Sequence, residues 1–444
     1  MIKVVKFGGS SLADAHQFKK VGKIIRKDVD RRYVVPSAPG KRSPDDTKVT
    51  DMLYSCYAQA LLEEEDSQES FETLLGAIRE RYESIIRELG LSLSLEEEFH
   101  SIRENFTRKI GRDYAASRGE YLNGRIMAEY LGYEFIDAAE VICFDKTGNF
   151  DGKKTQKILS ERLANTERAV IPGFYGAMPD GKIKTFSRGG SDITGSIVAG
   201  AVHADLYENW TDVSGFLVAD PRIIENPKEI DVITYRELRE LSYMGATVLH
   251  EDAIFPVRKE GIPINIRNTN APEDKGTLIV EATCQKPRFI ITGIAGKKDF
   301  AAVTVEKAMM NSEIGFVRKV LQVFEENGLS IEHTPSGIDT LTVYVNQNAF
   351  EAKEQQIIAG LHRAVQPDLI ELESDLALIA VVGRGMRRTR GTAGRIFSAL
   401  AHAHVNVKMI DQGSSELNII IGVENRDFET AIQAIYNIFV VAQL

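Results

Sequence analysis

Four stretches hold residues able to do chemistry. In the first, the apolar run Ile2 to Val5 leads to Lys6, and Lys6 to Gly8-Gly9-Ser10-Ser11. Glycines admit positive φ and let a ligand approach backbone N–H groups closely. Ser11 reads as the opening of a helix, whose N-terminus favours an anion. Lys6 adds a full positive charge at the same rim. The stretch therefore fits a phosphate loop or a tight turn, and it is neither GxxxxGK[ST] nor GxGxxG. The second stretch, FSRGGSDITGSIVAGAV (186–202), offers Arg188, Ser191, Asp192, glycine N–H groups and another helix start. Two such loops suit a phosphate chain approached from both sides. The third, TDVSGFLVADPR (211–222), gathers Thr211, Asp212, Asp220 and Arg222 after the strand-like YENW. Its carboxylates could orient Mg²⁺ or accept hydrogen bonds from a ribose. In the fourth, SRGEYLNGRIMAEYL (117–131), Arg118-Gly119-Glu120 leads into a helix. Glu120 reads either as a capping charge at a helix N-terminus or as the partner of a substrate ammonium group.

Other chemistries find no support. The eight histidines show no HExxH or repeated metal spacing, and no residue is expected to ligate a metal directly. No GxSxG is present. The three cysteines, Cys56, Cys143 and Cys284, are far apart, which excludes a disulfide framework and suits a reducing compartment.

The positioning elements follow from the pattern of the chain. Up to about residue 280, short apolar runs alternate with helical patterns: IKVVKF (2–7), YVVPS (33–37), YEFID (133–137), AVIPGF (169–174), ADLYENW (204–210) and PINIRN (263–268). This alternation predicts an α/β fold with a mainly parallel sheet covered by helices, and the glycine-rich stretches fall at strand C-termini, where such sheets bind ligands. Ser11 and Asp14 resemble a capping box ahead of Phe18, Val21, Ile24 and Ile25. Residues 60–113 are acidic and helical, and read as a solvated insertion that acts as a mobile lid or docking arm. After residue 284 the grammar changes to two copies of a βαββαβ unit, at about 300–365 and 372–444, with a strand at 289–296 able to complete the second. Gly315-Phe316 opens the helix of one copy and Gly394-Arg395-Ile396 that of the other. Chemistry-bearing residues are sparse there, so regulation or assembly is expected.

Charged residues make up 27% of the 444 and the formal net charge is −10, which argues against a nucleic-acid surface. No run approaches the roughly 20 apolar residues of a membrane span, and the N-terminus has no apolar signal core. A cytoplasmic protein without a membrane partner is expected.

Taken together, KFGGSS, SAPG, RGE, FSRGGSDITG, TDVSGFLVADPR and YMGATVLH, followed by the paired repeats, resemble the aspartokinases of the amino acid kinase superfamily. The likeness covers nearly the whole chain. It implies a three-layer αβα catalytic domain (1–284) and a regulatory region of two ferredoxin-like ACT-type units (285–444). It also implies transfer of the γ-phosphoryl group of MgATP to the β-carboxylate of L-aspartate, the opening step towards lysine, threonine and methionine. Carried over by motif, Lys6 contacts the transferring phosphate, Gly8, Gly9 and Ser10 form the backbone cradle, and Asp192 lies beside the reaction centre. Ser37, Thr50, Glu120, Arg188 and Ser191 hold aspartate, with Glu120 facing its ammonium and Arg188 its α-carboxylate. Thr211, Asp212, Asp220 and Arg222 form the nucleotide loop. Leu217 and Thr247 depart from the pattern, which often has an aromatic residue and a lysine there; Lys182, Lys184 or Arg222 are candidate substitutes.

The resemblance further implies a homo-oligomer joined through the ACT-type units, with an amino-acid effector at their interface. Glu332 matches an acidic position of lysine-sensitive members, and Met310, Ser312, Gly315, Phe316, Ser330 and Ile331 complete the expected lysine site. A monofunctional enzyme without a fused homoserine dehydrogenase is expected. The competing readings are an ATP-binding amino-acid sensor without turnover, and another amino acid kinase such as a glutamate 5-kinase or a uridylate kinase.

Overall fold

The computed structural model describes all residues except 63–64, 188, 247–248, 250–253, 284, 286 and 443–444, and the side chains of 65 and 66. Two units are resolved: Met1–Phe216 with Glu229–Tyr235 and Val248–Thr283, and Leu217–Lys228 with Arg236–Thr247 and Cys284–Leu444.

The strands of the first unit are β1 (Lys3–Phe7), β2 (Arg31–Pro36), β3 (Glu134–Phe135), β4 (Ala169–Val170), β5 (Tyr175–Ala177), β6 (Ile183–Thr185), β7 (Leu206–Thr211), β8 (Val232–Thr234), β9 (Ile264–Asn268) and β10 (Thr277–Val280). Its helices are α1 (Ala15–Arg26), α2 (Val49–Leu61), α3 (Glu65–Leu89), α4 (Glu96–Thr107), α5 (Arg112–Leu131), α6 (Ala138–Val141), α7 (Gly152–Leu163) and α8 (Gly190–Ala201). Helix α9 (Tyr235–Tyr243) belongs, after its first residue, to the second unit, and α10 (Phe255–Lys259) returns to the first. The main sheet runs β3-β4-β2-β1-β7-β9-β10-β8, parallel throughout except for the antiparallel β9–β10 pair. Side chains alternate across β1. Val5 and Phe7 enter a cluster with α1 to α5, while Lys6 points to α8 on the opposite face. Helices thus cover both faces, as expected.

Two local readings are corrected. Ser11 does not cap α1. It sits in a 3₁₀ turn, Gly9–Leu12, and its hydroxyl meets that of Thr269 at 2.8 Å. Asp14 alone caps α1, accepting from the N–H of Gln17 at 2.9 Å. The insertion is not simply solvated: Phe71, Leu75, Ile78, Tyr82, Phe99 and Phe106 share the core cluster of α1 and β1. The acidic runs dominate the composition and hid this; among the described residues every acidic side chain of the insertion is exposed or half-buried.

The second unit contains β11 (Gly293–Glu306), α11 (Phe316–Glu326), β12 (Ile331–His333), β13 (Thr340–Asn346), α12 (Gln347–Glu351), α13 (Glu354–Val365), β14 (Leu369–Val382), α14 (Thr392–His402), β15 (Met409–Asp411), β16 (Asn418–Glu424) and α15 (Phe428–Tyr436). Its sheet order is β12-β13-β11-β14-β16-β15, antiparallel throughout. The long strands β11 and β14 each serve both repeats and each bend at a left-handed aspartate, Asp299 (φ 68°) and Asp375 (φ 58°). The N–H of Asp299 donates to the Asn425 side chain and that of Asp375 to Gln347, so the duplication reaches single hydrogen bonds. Gly315 and Gly391 cap α11 and α14 with the same φ of 81°. The counterpart of Gly315 is therefore Gly391, and Gly394 lies inside the helix.

A solvated lid would exchange its amides quickly. The buried face of α3 argues for the reverse: in native-state hydrogen exchange, the amides of Ile78 to Ile86 are expected to be protected as strongly as those of β1. Protection many-fold weaker than in β1 would restore the lid.

Candidate active site

Lys6 is 7% exposed, an expensive place for an ammonium group unless it is paired. The pairing comes from two other elements. Asp192, in the first turn of α8, receives Lys6 Nζ on Oδ1 at 2.5 Å. Asn209, the register partner of Lys6 on β7, donates Nδ2 to the same Oδ1 at 2.9 Å and accepts from Lys6 at 3.4 Å. The cation is thus held at the C-terminal edge of the sheet, where β1, β7 and α8 meet.

The glycine loop begins immediately beyond it. The N–H of Gly8 donates to the carbonyl of Trp210 (3.0 Å), and the Gly8 backbone is extended rather than left-handed. Close approach, not positive φ, is what requires glycine in this region, and it does so at Gly9 and Gly40 rather than at Gly8. A Cβ on Gly9 would lie 2.9 Å from the carbonyl oxygen of Ala38, and one on Gly40 only 2.6 Å from the carbonyl carbon of Gly9. The two glycines are joined by a hydrogen bond from Gly40 N–H to Gly9 O of 2.8 Å. Ser10 is exposed at the start of the turn. In the second loop, Gly189 is the residue that needs left-handed backbone (φ 59°), and it opens α8 ahead of Ser191 and Asp192.

Arg81 of α3 ties the Gly40 segment to the chain that follows the first glycine loop. It donates to the carbonyls of Gly40 (2.7 Å) and Ala13 (3.0 Å) and to Asp46 Oδ2 (2.8 Å). Asp46 also accepts from Arg42, and these guanidinium contacts hold its carboxyl far below the usual range. The insertion therefore braces the glycine pair.

Glu120 lies in the middle of α5, which starts eight residues earlier at Arg112; the capping reading is corrected. It is buried with Oε2 unpartnered, although the N–H of Ala38 donates to the carboxyl. Burial pushes its pKa up to about 8, against the lowering effects of that hydrogen bond and of Arg118. Helix α5 comes close because Gly119 lacks a Cβ, which would meet Ala38 Cβ at 2.8 Å and lie 3.8 Å from Thr50 Oγ1. Ser37, at the end of β2, accepts from Asn123 Nδ2 (2.6 Å) through its carbonyl. Ser191 packs against Gly173, beyond β4. Ser37, Thr50, Glu120 and Ser191 thus come from the β2 end, the start of α2, mid-α5 and the start of α8. A buried carboxylate with a free oxygen beside hydroxyls is suited to a small ligand carrying an ammonium group.

A family model for the amino acid kinase family matches residues 1–268, and an ACT domain model matches 379–439. Aspartokinase 3 of Bacillus subtilis is 41% identical over 462 aligned residues, covering 99% of this chain and 98% of its own. The chain belongs to the aspartokinases. The crystal structure of Clostridium acetobutylicum aspartate kinase superposes with a TM-score of 0.88 at 53% identity, covering 99% of both chains. Lysine-sensitive aspartokinase 3 of Escherichia coli is 27% identical, covering 98% of each chain.

Not every residue expected for an aspartokinase is brought together. Arg188 and Thr247 lie outside the described residues. Thr211 and Asp212 are in the first unit, with the Thr211 hydroxyl donating to Asp212 at 3.1 Å. Asp220 and Arg222 belong to the second unit and bind each other at 2.5 to 3.0 Å, which lowers the Asp220 pKa. Lys182 is paired with Asp180 (3.1 Å) and Lys184 with Asp113 (2.9 Å). Among the effector candidates, Met310 and Phe316 are buried in the core of the first repeat, so only their backbone can meet a ligand. Ser312 and Ser330 are exposed, Gly315 caps α11, and Ile331 and Glu332 lie on the edge strand β12. Glu332 accepts a hydrogen bond from Tyr243 of α9, whose pKa burial and this bond push up to about 12. Asn209, Arg81 and Asn123 escaped the sequence reading. For Asn209 the signal was available: an amide inside the strand run LYENW.

A carboxyl with its pKa raised to about 8 holds its proton below that pH, and only the ionised form can pair with an ammonium group. In the free enzyme, kcat/KM for aspartate is therefore expected to rise with pH and level off above about 8. Glu120→Gln is expected to lower kcat/KM by about 10- to 100-fold, the value of one charged hydrogen bond, and to remove that limb. An unchanged limb would show that Glu120 does not face the substrate.

Proposed function

We propose that this aspartokinase phosphorylates the β-carboxylate of L-aspartate to give 4-phospho-L-aspartate, with Lys6 carrying the charge of the transferred group. One observation supports this above the rest: a buried ammonium held by Asp192 and Asn209 at the mouth of the glycine loop. A carboxylate oxygen of aspartate attacks the γ-phosphorus, and the bond from that phosphorus to the ADP oxygen breaks. The nucleophile is already ionised near neutral pH, so no general base is needed. Catalysis then rests on positioning and charge neutralisation. Lys6 and the N–H groups of Gly9 and Ser10 receive the phosphoryl oxygens; the N–H of Gly8 is taken by the Trp210 carbonyl (3.0 Å), so Gly8 serves the cradle only by its small size. Asp192 orients Lys6 and takes no proton. Ser37, Thr50, Glu120, Arg188 and Ser191 hold aspartate. Thr211 and Asp212 serve the nucleotide, and Asp220 and Arg222 are assigned to it on the family pattern alone.

Mg²⁺ enters as MgATP. Among the described residues no three His, Cys, Asp or Glu side chains group as a metal cage. Mg²⁺ generally keeps several waters and takes substrate phosphates as ligands. It supplies charge neutralisation on the phosphates.

The catalytic region is assigned to 1–284 and the regulatory region to 285–444. Lysine is the proposed effector, with Glu332 receiving its ε-ammonium. Association into a homo-oligomer through the ACT-type units is supported by exposed apolar side chains there, including Ile314 (97%) and Ile338 (72%). Among the described residues no helix is long and apolar enough to cross a membrane, and a cytoplasmic site is proposed.

The test is ATP consumption with L-aspartate and Mg²⁺, the acyl phosphate being trapped with hydroxylamine. A hydroxamate is expected with aspartate and not with glutamate. Millimolar L-lysine is expected to inhibit, and Glu332→Gln to relieve that inhibition while keeping turnover. Turnover of glutamate or UMP instead, or none, would overturn the reaction. Inhibition surviving in Glu332→Gln would overturn the effector site.

A further inference from the structure

On the sheet face opposite Lys6, helix α1 and the chain beyond β9 border a cavity of about 630 Å³. Its lining carries Lys20, Lys23, Lys27, Arg31 and Arg267 against Asp28 and Glu273, with Ile24 and Pro272 as apolar wall. The spacing of Lys20, Lys23 and Lys27 places all three on one side of α1. Both rim carboxylates are already engaged, Asp28 by Lys3 (2.6 Å) and Glu273 by Lys27 (2.7 Å). A third carboxylate, Glu208, lies beneath and is 1% exposed. It binds Arg31 at 2.8 and 3.2 Å, accepts from Trp210 Nε1 at 2.9 Å, and lies 4.0 Å from Arg267. Five cations therefore face three carboxylates, one of which is matched from outside by Lys3. In a chain of net charge −10 this local excess is not a consequence of composition.

The excess is also poorly satisfied. Arg267 Nε is buried without a hydrogen-bond partner, while its Nη2 donates to the carbonyls of Pro272 (2.7 Å) and Asp274 (3.1 Å). Burial holds its pKa below the usual arginine value, although a guanidinium stays charged in proteins. Lys20 reaches only an amide, Asn270 Oδ1 at 3.0 Å, and Lys23 has no ion-pair partner among the described residues. Lys20 is half-buried and Lys23 exposed, so it is the Arg267 guanidinium, with its buried Nε, whose charge is costly unless a ligand supplies counter-charge.

We propose that this cavity binds a small phosphate-bearing anion, held by Arg267, Lys20 and Lys23. A planar guanidinium beside mobile ammonium groups suits a multi-oxygen dianion better than a single carboxylate. The volume admits more than one phosphate group, and the apolar wall admits an organic portion. The site adjoins the glycine loop from behind: Trp210 accepts from Gly8 through its carbonyl (3.0 Å), and Thr269 meets the Ser11 hydroxyl (2.8 Å).

The test uses the full-length protein with ADP and aspartate at saturation, so that the active centre is taken. Inorganic phosphate and pyrophosphate are titrated by calorimetry into wild type, the double variant Lys20→Ala with Lys23→Ala, and Lys19→Ala. All three lysines are on the outer side of α1 or its rim, and none belongs to the catalytic machinery. Binding of at least one anion is expected in wild type and in Lys19→Ala, with Kd raised at least about tenfold in the double variant, the loss of one charge-assisted hydrogen bond or more. An anion bound at the γ-phosphoryl position would be indifferent to Lys20 and Lys23. No binding of either anion, or equal affinity in the double variant, overturns the assignment.

Discussion

The contact between Lys6 and Asp192 is the constraint on which the first unit turns. Strand alternation sends Val5 and Phe7 into the core and leaves Lys6 on the α8 face. A buried ammonium without a counter-charge would cost about 3–5 kcal/mol relative to the pair. The N-terminal turn of α8 must therefore bring Asp192 to the end of β1, and β7 must keep its register so that Asn209 bonds the same oxygen. Sheet order, helix placement and a fixed cation are one requirement met three times.

Around this point the backbone is crowded by choice of glycine. Gly9 and Gly40 touch, Gly119 lets α5 pass Ala38, and Gly173 receives Ser191. Each close approach moves a functional group to the C-terminal edge of the sheet. Arg81 then ties the glycine pair to α3, so that the helical insertion shares in holding the first glycine loop. In the second unit a duplicated fold supplies a second set of fixed points, and the Tyr243 contact brings α9 to Glu332, the carboxylate proposed for the effector.

Much of this was legible in the sequence because it is local. Strand runs, the glycine stretches, Lys6, Asp192 and the duplicated units have signatures within a few residues of each other. What was missed is long-range. Asn209 matters through its register with Lys6, 203 positions away, and Arg81 through carbonyls 41 and 68 positions away. In sequence Arg118-Gly119-Glu120 reads as leading into a helix, with Glu120 a cap or an ammonium partner, whereas α5 begins at Arg112, directly after Gly111 (φ 141°), and runs through it, which removes the cap. Gly394 was matched to Gly315 by spacing alone, and φ identifies Gly391 instead. A glycine marks a possible turn in sequence; only the backbone says which one turns.

The most direct test of the central contact is a double-mutant cycle on kcat with Lys6→Ala and Asp192→Asn, aspartate and MgATP both saturating. If Asp192 acts through Lys6, each single variant is slow and the double variant is no slower than Lys6→Ala. Losses that multiply in the double variant would contradict it, because Asp192 would then have a task of its own.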